Sequence, residues 1–198
     1  MIKSVALNNG FRIAYSDLNH AFDLNSLGRW EQYSMSLPRA SRKNYRRSVE
    51  EGLVFSECPY ERFDEVYGVI EKNRAEKGFP LRMTREHLFG MLSLHGVSIR
   101  LFAIMDNTDI VASAVIFDVT ETVSQVVYWG DMSAHRHKRP MALLAVSLVD
   151  YYRELGKTVL DVGPSSESGV VNEGLADFKR SIGCFEAEKV TLVWGTHA

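Results

Sequence analysis

The chain has 198 residues, of which 45% are hydrophobic and 24% are charged, and this composition is typical of an ordinary folded domain. It argues against disordered, collagen-like and coiled-coil proteins, and area scaling lets such a chain bury about 70% of its surface without metal or disulfide staples. The formal net charge of −2 gives no overall field to attract nucleic acid, so any site for a polyanion must be local.

The two cysteines, Cys58 and Cys184, lie far apart and form no CxxC pair, so neither a disulfide framework nor a structural zinc site is indicated. The N-terminal segment MIKSVALNNG is too short and too polar for a secretory signal, and no apolar run reaches about 18 residues. We therefore expect a cytoplasmic protein without a membrane span and without a metal.

Strand and helix patterns alternate in the first quarter of the chain. The expected order is one or two short strands in 2–16, helices over 23–35 and 40–51, and a strand that starts at 53. We treat residues 1–52 as an N-terminal extension, or as an abbreviated first half, of a single domain that covers 1–198.

Two further helices are predicted before the main strands. Apolar residues at helical spacing after Pro59 predict a helix that ends at Gly78, and its apolar stripe needs a sheet to cover it. Thr84 is a candidate N-cap for a second helix, which stops near Gly96.

The middle of the chain predicts an antiparallel sheet. Runs rich in β-forming residues at 97–105 and 110–119 flank a turn composition, so they should form a hairpin, and 122–129 reads as a third strand. The run 110–119 is apolar on both faces, which indicates a central strand.

A crossover connection follows these strands. A polar loop at 130–138 leads into a helix that begins at Pro140, and 158–162 is the next strand. A strand, helix, strand unit places its two strands parallel, and their C-terminal ends then face a crevice that favours anions. The last expected elements are a short helix capped by Asn172 and a strand at 190–194.

Basic side chains are concentrated directly before the helix at Pro140. There, free amides and cations could converge on a phosphate; the residues are His135, Arg136, His137, Lys138 and Arg139. A solvated charged loop is an equal alternative. Metal binding by His135 and His137 is weaker, because the sequence places no cysteine or carboxylate ligand nearby.

Three segments resemble the GNAT acyltransferase superfamily and, within it, the FemABX and FemAB-like branch. They are RKNYRRSVEEG at 42–52, YWGDMSAHRHKRPMALLAVSLVDYYRELG at 128–156 and NEGLADFKRSIG at 172–183, and the last is similar to the signature GL-x-x-FK-x-x-F/Y-G. The resemblance implies a mixed α+β fold of the GNAT-like acyl-CoA N-acyltransferase type, in which antiparallel strands precede a parallel β-α-β crossover.

The resemblance also implies an activity. An acyl group would pass from a thioester such as acetyl-CoA, or an aminoacyl group from aminoacyl-tRNA, to a primary amine on a small molecule or on a peptidoglycan-precursor-like acceptor. tRNA and a second copy of the chain are further partners to consider. Two departures make a non-catalytic ligand-binding or assembly module the alternative: HRHKRPMA lacks the glycines of the acetyl-CoA pyrophosphate loop, and the chain is shorter than the two-halved FemABX enzymes.

Candidate site residues come from this resemblance, from the end of the strand at 158–162 and from the start of the helix at Pro140. Lys179 matches the lysine of the FK motif and is expected to stabilise developing charge, with an exposed surface lysine as its alternative. Asp161 could orient an amine, pair with Lys179 or form a turn. Tyr128 or Tyr151 could donate a proton, as a tyrosine does in many GNAT enzymes, or belong to the core, and Tyr128 is the preferred candidate. The donor would be held by Trp129, Gly130, His137, Lys138, Arg139 and Met141.

The helix predicted at 40–51 carries a basic stripe. Its cations recur at i,i+3 and i,i+4 spacing and can line one face; they are Arg39, Arg42, Lys43, Arg46 and Arg47. They could contact tRNA phosphates, but Glu50, Glu51 and the acidic remainder of the chain make a solvated face the preferred interpretation.

Overall fold

The computed structural model describes residues 2–194. Its α-helices are α1 Ile2–Asn8, α2 Trp30–Ser36, α3 Arg39–Glu50, α4 Phe63–Glu76, α5 Arg85–Met91, α6 Pro140–Glu154 and α7 Glu173–Ser181. Its strands are β1 Phe11–Asp23, β2 Val54–Cys58, β3 Ser98–Asp106, β4 Asp109–Asp118, β5 Val123–Asp131, β6 Val159–Pro164, β7 Ser166–Glu167, β8 Val170–Val171 and β9 Phe185–Trp194. Short 3-10 helices cover Tyr60–Arg62 and Ser133–Lys138. None of the helices in this part of the chain is both long enough and apolar enough to span a bilayer.

Seven strands form one mixed sheet in the order β2-β3-β4-β5-β6-β1-β9, and β7 pairs with β8 in a separate hairpin. Neighbouring strands in the large sheet are antiparallel except β5 and β6, which run parallel. Helix α6 connects these two strands, as a crossover requires. The predicted mixed fold, with antiparallel strands followed by a parallel crossover, is therefore confirmed.

The predicted hairpin and its central strand are also confirmed. β3 and β4 pair from Ser98 opposite Asp118 to Asp106 opposite Asp109, and β4 lies between β3 and β5. Residues 111–116 of β4 are all buried, because helices cover both faces of the sheet at this point. The single hydroxyl among them, on Ser113, donates to the backbone carbonyl of Val66 in α4 at 2.8 Å, so its burial leaves no donor unpaired.

Apolar side chains pack on both faces of the sheet. On one face, α6, α2 and α7 surround a cluster that includes Phe22, Leu144, Leu148, Tyr152 and Ile182. On the other face, α4 and α5 cover a second cluster that includes Phe63, Ile70, Leu88, Leu101 and Val115. Each fully buried side chain of this size contributes about 1.5–3 kcal/mol, so the two clusters fix the helices against the sheet.

The N-terminal part of the chain differs from the expectation. Residues 2–8 form helix α1 rather than a strand, and a continuous strand runs from Phe11 to Asp23. The helix expected over 23–35 is wrong at its start, because α2 begins only at Trp30. β1 pairs with β6 on one side and with β9 on the other, so tertiary pairing determines a segment whose own alternation is weak.

Candidate active site at the split parallel strands

The parallel pair β5 and β6 is joined over only a short stretch. Residues 123–125 of β5 lie opposite residues 159–161 of β6. Beyond this point β5 continues beside β4 to Asp131, whereas β6 continues beside β1 to Pro164. The two strands thus separate toward their C-terminal ends, and we call the gap between residues 126–131 and residues 162–164 the β5/β6 cleft.

Lys179 lies on the β6 side of this cleft. Its residue is only 2% exposed, so the alternative of an exposed surface lysine is wrong. Nζ donates to the backbone carbonyl of Gly163 at 2.8 Å and to that of Pro164 at 2.9 Å. An ammonium group has three N–H donors, so the protonated side chain keeps one for a further acceptor. Burial lowers the pKa of Lys179 to about 8, so both protonation states are populated near that pH.

Asp161 lies where the pairing of β5 with β6 ends. Its Oδ1 accepts from Asn19 Nδ2 at 2.9 Å and from the Gly163 amide at 2.8 Å, and its Oδ2 accepts from Gln125 Nε2 at 3.2 Å. The bond to the Gly163 amide closes the Asx turn that was one of the expected roles. Lys179 donates to the two carbonyls and forms no ion pair with Asp161 among the described residues. Orientation of an amine by Asp161 stays a prediction.

Tyr128 projects from β5 toward α4 and is 8% exposed. Its hydroxyl oxygen accepts from the Met83 amide at 3.0 Å, in the segment between α4 and α5. Because the oxygen accepts in this bond, the phenolic proton is still available for donation. The side chain is thus part of the second core cluster, and its use as a proton donor stays a prediction.

Arg74 of α4 belongs to the same region and was missed in the sequence. Its guanidinium lies over the Tyr128 ring, 5.8 Å from the ring centroid. Burial lowers the pKa of Arg74, and within residues 2–194 the side chain makes no hydrogen bond or ion pair. The available signal was its position four residues after the buried Ile70, which places a cation beside the apolar stripe of α4.

Two cations therefore border the β5/β6 cleft from opposite faces of the sheet. Lys179 is carried by α7, whose Phe178 packs edge to face against Trp129 of β5 at 6.0 Å between ring centroids. Arg74 comes from α4, and its charge acts on Lys179 in the direction that lowers the lysine pKa. The carboxylate of Asp161 acts on Lys179 in the opposite direction to Arg74. Two cations partly removed from water favour negative charge that develops near them during a reaction.

The backbone of β5 beside the cleft is packed directly against α4. A Cβ atom added to Gly130 would lie 2.8 Å from the side chain of Asn73. The Asn73 amide nitrogen also donates to the backbone carbonyl of Asp131 at 2.7 Å and to its carboxylate at 2.8 Å. Glycine is therefore required for close packing at position 130, while contacts of Trp129 and Gly130 with a donor stay predictions.

The basic segment before α6 is largely neutralised, in contrast to the expectation of free cations. Lys138 lies 2.6 Å from the carboxylate of Asp106, and His135 lies 3.3 Å from the same carboxylate. Arg136 pairs with Asp131 at 3.1 Å and with Glu76 at 3.2 Å. The expected polar loop is instead a 3-10 helix, which directs these side chains toward the acids. The exposed basic side chains without an ion pair in this described segment are those of His137 and Arg139.

The start of α6 also offers few free amides. Arg139 has a φ of 62°, and its amide donates to the Arg136 carbonyl at 3.1 Å. Pro140 has no N–H, and the Ala142 amide donates to the Arg139 carbonyl at 3.0 Å. The side chain of Met141, an expected donor contact, packs against the main core. Of the four residues from 139 to 142, Pro140 has no N–H, and the N–H groups of Arg139 and Ala142 are bonded to carbonyls. No row of free N–H donors is therefore left here for a pyrophosphate.

A buried histidine and serine lie beside Lys179. His20 of β1 is fully buried, its Nδ1 lies 3.1 Å from Ser165 Oγ, and its Nε2 lies 3.7 Å from the carboxylate of Glu186. Burial, followed by the charge of Lys179, lowers the pKa of His20, which favours the neutral ring. Sequence reasoning did not find this pair, because 145 positions separate the two residues.

The mixed sheet with its split parallel pair defines the class of the protein as a GNAT-like fold. Comparison with solved structures agrees. FemX superposes with a TM-score of 0.77 at 14% identity, over 95% of this chain and 66% of FemX. The C-terminal domain of a putative lysylphosphatidylglycerol synthetase from Agrobacterium fabrum gives a TM-score of 0.70 at 15% identity, over 97% and 64% of the two chains. A GCN5-related N-acetyltransferase from Kribbella flavida gives 0.52 at 13% identity, over 96% and 62%.

At these identities the comparisons establish the fold. The chain spans just under two thirds of the length of FemX and of the synthetase domain. No family model matches the sequence, and no curated protein matches it either.

Proposed function

We propose that this chain is an aminoacyltransferase of the FemAB-like branch, which moves an aminoacyl group from aminoacyl-tRNA to a primary amine. The observation that carries the proposal is the β5/β6 cleft, which is bordered by the cations of Lys179 and Arg74. The likeness to FemX, and to a synthetase named for a lysyl lipid, supports the same class of reaction.

The site must hold the amine against the ester carbonyl, stabilise the negative charge on the carbonyl oxygen and supply a proton to the leaving oxygen. The acceptor nitrogen bonds to the ester carbonyl, the bond to the tRNA ribose oxygen breaks, and the proton that the amine loses is balanced by protonation of that oxygen. Between these steps the carbonyl oxygen carries a negative charge. The third N–H of Lys179 and the charge of Arg74 are suited to stabilise it, and Tyr128 has a proton available for the leaving oxygen.

The choice of donor follows from the start of α6. An acyl-CoA pyrophosphate would need free amides and unpaired cations at this helix end. Here most of the amides are used or absent, and Asp106, Asp131 and Glu76 hold the neighbouring cations. These carboxylates would also repel a pyrophosphate. The arrangement favours a donor whose phosphates are bound elsewhere, as those of a tRNA are.

The donor can be tested directly. The purified chain is incubated with a tRNA pool charged with radiolabelled amino acids and with a lysine-containing peptide as the acceptor. In parallel, thiol release is followed with acetyl-CoA and with palmitoyl-CoA. We expect label to move from tRNA to the peptide, without thiol release. Thiol release without consumption of charged tRNA would instead identify a thioester donor, and no reaction with either would favour the non-catalytic alternative.

A further inference from the structure

Helix α3 presents a continuous basic surface. Its members, which we call the α3 basic surface, are Arg39, Arg42, Lys43, Arg46 and Arg47. The opposite side of the helix faces the protein, since Ser41 and Ser48 are buried and Tyr45 packs against the main core. Successive helical turns rise by about 5.4 Å, so the outward cations form a row along the helix rather than a single point of charge.

This surface concentrates positive charge in a chain that is otherwise acidic. The twelve residues of α3 hold these five cations and one acid, Glu50, which gives a formal charge of +4. The whole chain carries −2, so the remainder must carry −6. A solvated helix face normally mixes both signs, and this separation of charge instead indicates an anionic partner.

Most of the α3 basic surface is also free of intramolecular partners. Arg47 lies 3.7 Å from Glu51, and Arg42 donates to the backbone carbonyls of Ser34 and Leu37 at 3.3 and 3.0 Å. The other three cations are exposed and make no ion pair or side-chain hydrogen bond within residues 2–194; they are Arg39, Lys43 and Arg46. Their charges are therefore available to a ligand.

The surface leads toward the cleft. Helix α3 packs beside α6 and beside the 3-10 helix Ser133–Lys138. Its C-terminal end continues into β2, whose Val54 lies opposite Met105, next to the β3–β4 turn whose Asp106 holds Lys138. The 3-10 helix that α3 contacts follows the C-terminal end of β5 directly, and the exposed basic side chains His137 and Arg139 lie at its end.

We infer that the α3 basic surface binds the phosphate backbone of RNA and orients the donor tRNA with its 3′ end in the β5/β6 cleft. This inference rests on the proposed function. RNA is favoured over an anionic membrane, because a helix that lies in a bilayer interface needs an exposed apolar face beside its cations. On α3 the exposed large apolar side chain among the described residues is Val49 alone.

The test removes three charges without removing a structural contact. In the test variant Arg39, Lys43 and Arg46 are each changed to Gln, since none of them contacts another side chain through a polar bond. A matched control changes Arg12, Lys72 and Lys189 to Gln. These three are also exposed and unpaired in the described residues, and they lie on β1, α4 and β9, away from α3. Circular dichroism melting checks that both variants fold.

Binding of fluorescently labelled, deacylated tRNA is then measured by anisotropy between 50 and 200 mM salt. For the α3 variant we expect affinity at least about tenfold weaker at low salt, and a salt slope smaller by about 2, as for the loss of three phosphate contacts. The control should bind like the unaltered protein.

Three results would overturn the inference. If the unaltered protein binds tRNA and the α3 variant binds equally well, RNA lies elsewhere, and the proposed transfer reaction still stands. Binding to phosphatidylglycerol vesicles is compared in the same way. If the α3 variant loses binding to the vesicles but keeps its binding to tRNA, the surface is a membrane contact. Absence of tRNA binding by the unaltered protein would refute both this inference and the proposed donor.

Discussion

A lysine that is almost fully buried needs a reason, because lysines are rarely buried without partners. Lys179 donates to two backbone carbonyls at the end of β6, and within residues 2–194 its third N–H has no acceptor. Holding the carbonyls is a structural role that a neutral amine can also perform. Stabilising negative charge on a reacting carbonyl requires the ammonium form, so pH separates the two roles.

The pKa of Lys179 gives a signed prediction. With the pKa at about 8, the ammonium is lost as the pH rises through that value. Because the acceptor amine also becomes more reactive as it loses its proton, the rate at each pH is divided by the rate of Lys179→Met. If the ammonium stabilises the oxyanion, this ratio should be about 10²–10³ below pH 8 and should fall above it. A ratio that instead increases through pH 8 would mean that the neutral amine acts as a base.

The half-buried charge of Arg74 gives a second prediction about a single residue. Arg74→Met replaces the side chain by an apolar one of similar length and removes the charge that lies over the Tyr128 ring. Loss of the cation–π contact destabilises the fold, whereas removal of a half-buried charge stabilises it, so the free energy of unfolding should change by less than about 1 kcal/mol. The transfer rate at saturating donor should fall at least about tenfold.

The control for Arg74 is Lys72→Met, which removes an exposed cation from the same helix. Urea denaturation and steady-state kinetics are measured for both variants. Equal rates for the two would show that Arg74 does not act on the reacting group.

Individual site residues differ in how far the sequence reveals them. Lys179 stands within a recognisable motif, and the capping residues Thr84 and Asn172 are placed as predicted, with bonds to the amides of His87 and Leu175. Such signals are local in the chain. The partners of the basic segment before α6 come from distant elements, so no local pattern shows that Lys138 is held by Asp106.

At the scale of elements, strong periodicity made the prediction reliable. The stripe of α6 and the alternating runs of β3 and β4 specify their structure without help from the rest of the chain. β1 is different, because its sequence FRIAYSDLNHAFD mixes polar and apolar residues with little regularity. It is a strand because β6 and β9 supply hydrogen-bonding partners on both sides. That information lies more than a hundred residues away.

The contact of α4 with β5 can be tested by one glycine. Gly130→Ala places a methyl group 2.8 Å from Asn73, so α4 must move away from the cleft. Overpacking of this kind costs about 1–3 kcal/mol, which urea denaturation can measure. The transfer rate should fall as well, since α4 carries Arg74.

Gly68→Ala in the middle of α4 is the matched control. A Cβ at Gly68 meets no atom within 4 Å, so this change should stabilise the protein by about 0.5–1 kcal/mol through helix propensity. Destabilisation of both variants by the same amount would contradict the packing explanation for Gly130.

At the scale of the whole molecule, the basic helix α3 and the separated ends of β5 and β6 both adjoin the segment that leads into α6. The chain has a net charge of −2, although helix α3 alone has a formal charge of +4. Only the fold shows that α3 lies beside α6 and the 3-10 helix before it. The sequence order of strand, helix and strand was enough to predict a parallel crossover. It was not enough to predict which phosphates, if any, that crossover binds, because this depends on ion pairs formed in three dimensions.

If the proposed reaction is correct, the β5/β6 cleft receives an aminoacyl ester. A stable amide analogue of the tRNA 3′ end, 3′-aminoacylamino-3′-deoxyadenosine, allows the most direct test by co-crystallisation with the protein. We expect its aminoacyl carbonyl between residues 126–131 of β5 and residues 162–164 of β6, with the carbonyl oxygen within hydrogen-bonding distance of Lys179 Nζ. An analogue bound outside the cleft, or a cleft that stays closed by side chains at saturating analogue, would show that the cleft is not the acyl-binding site.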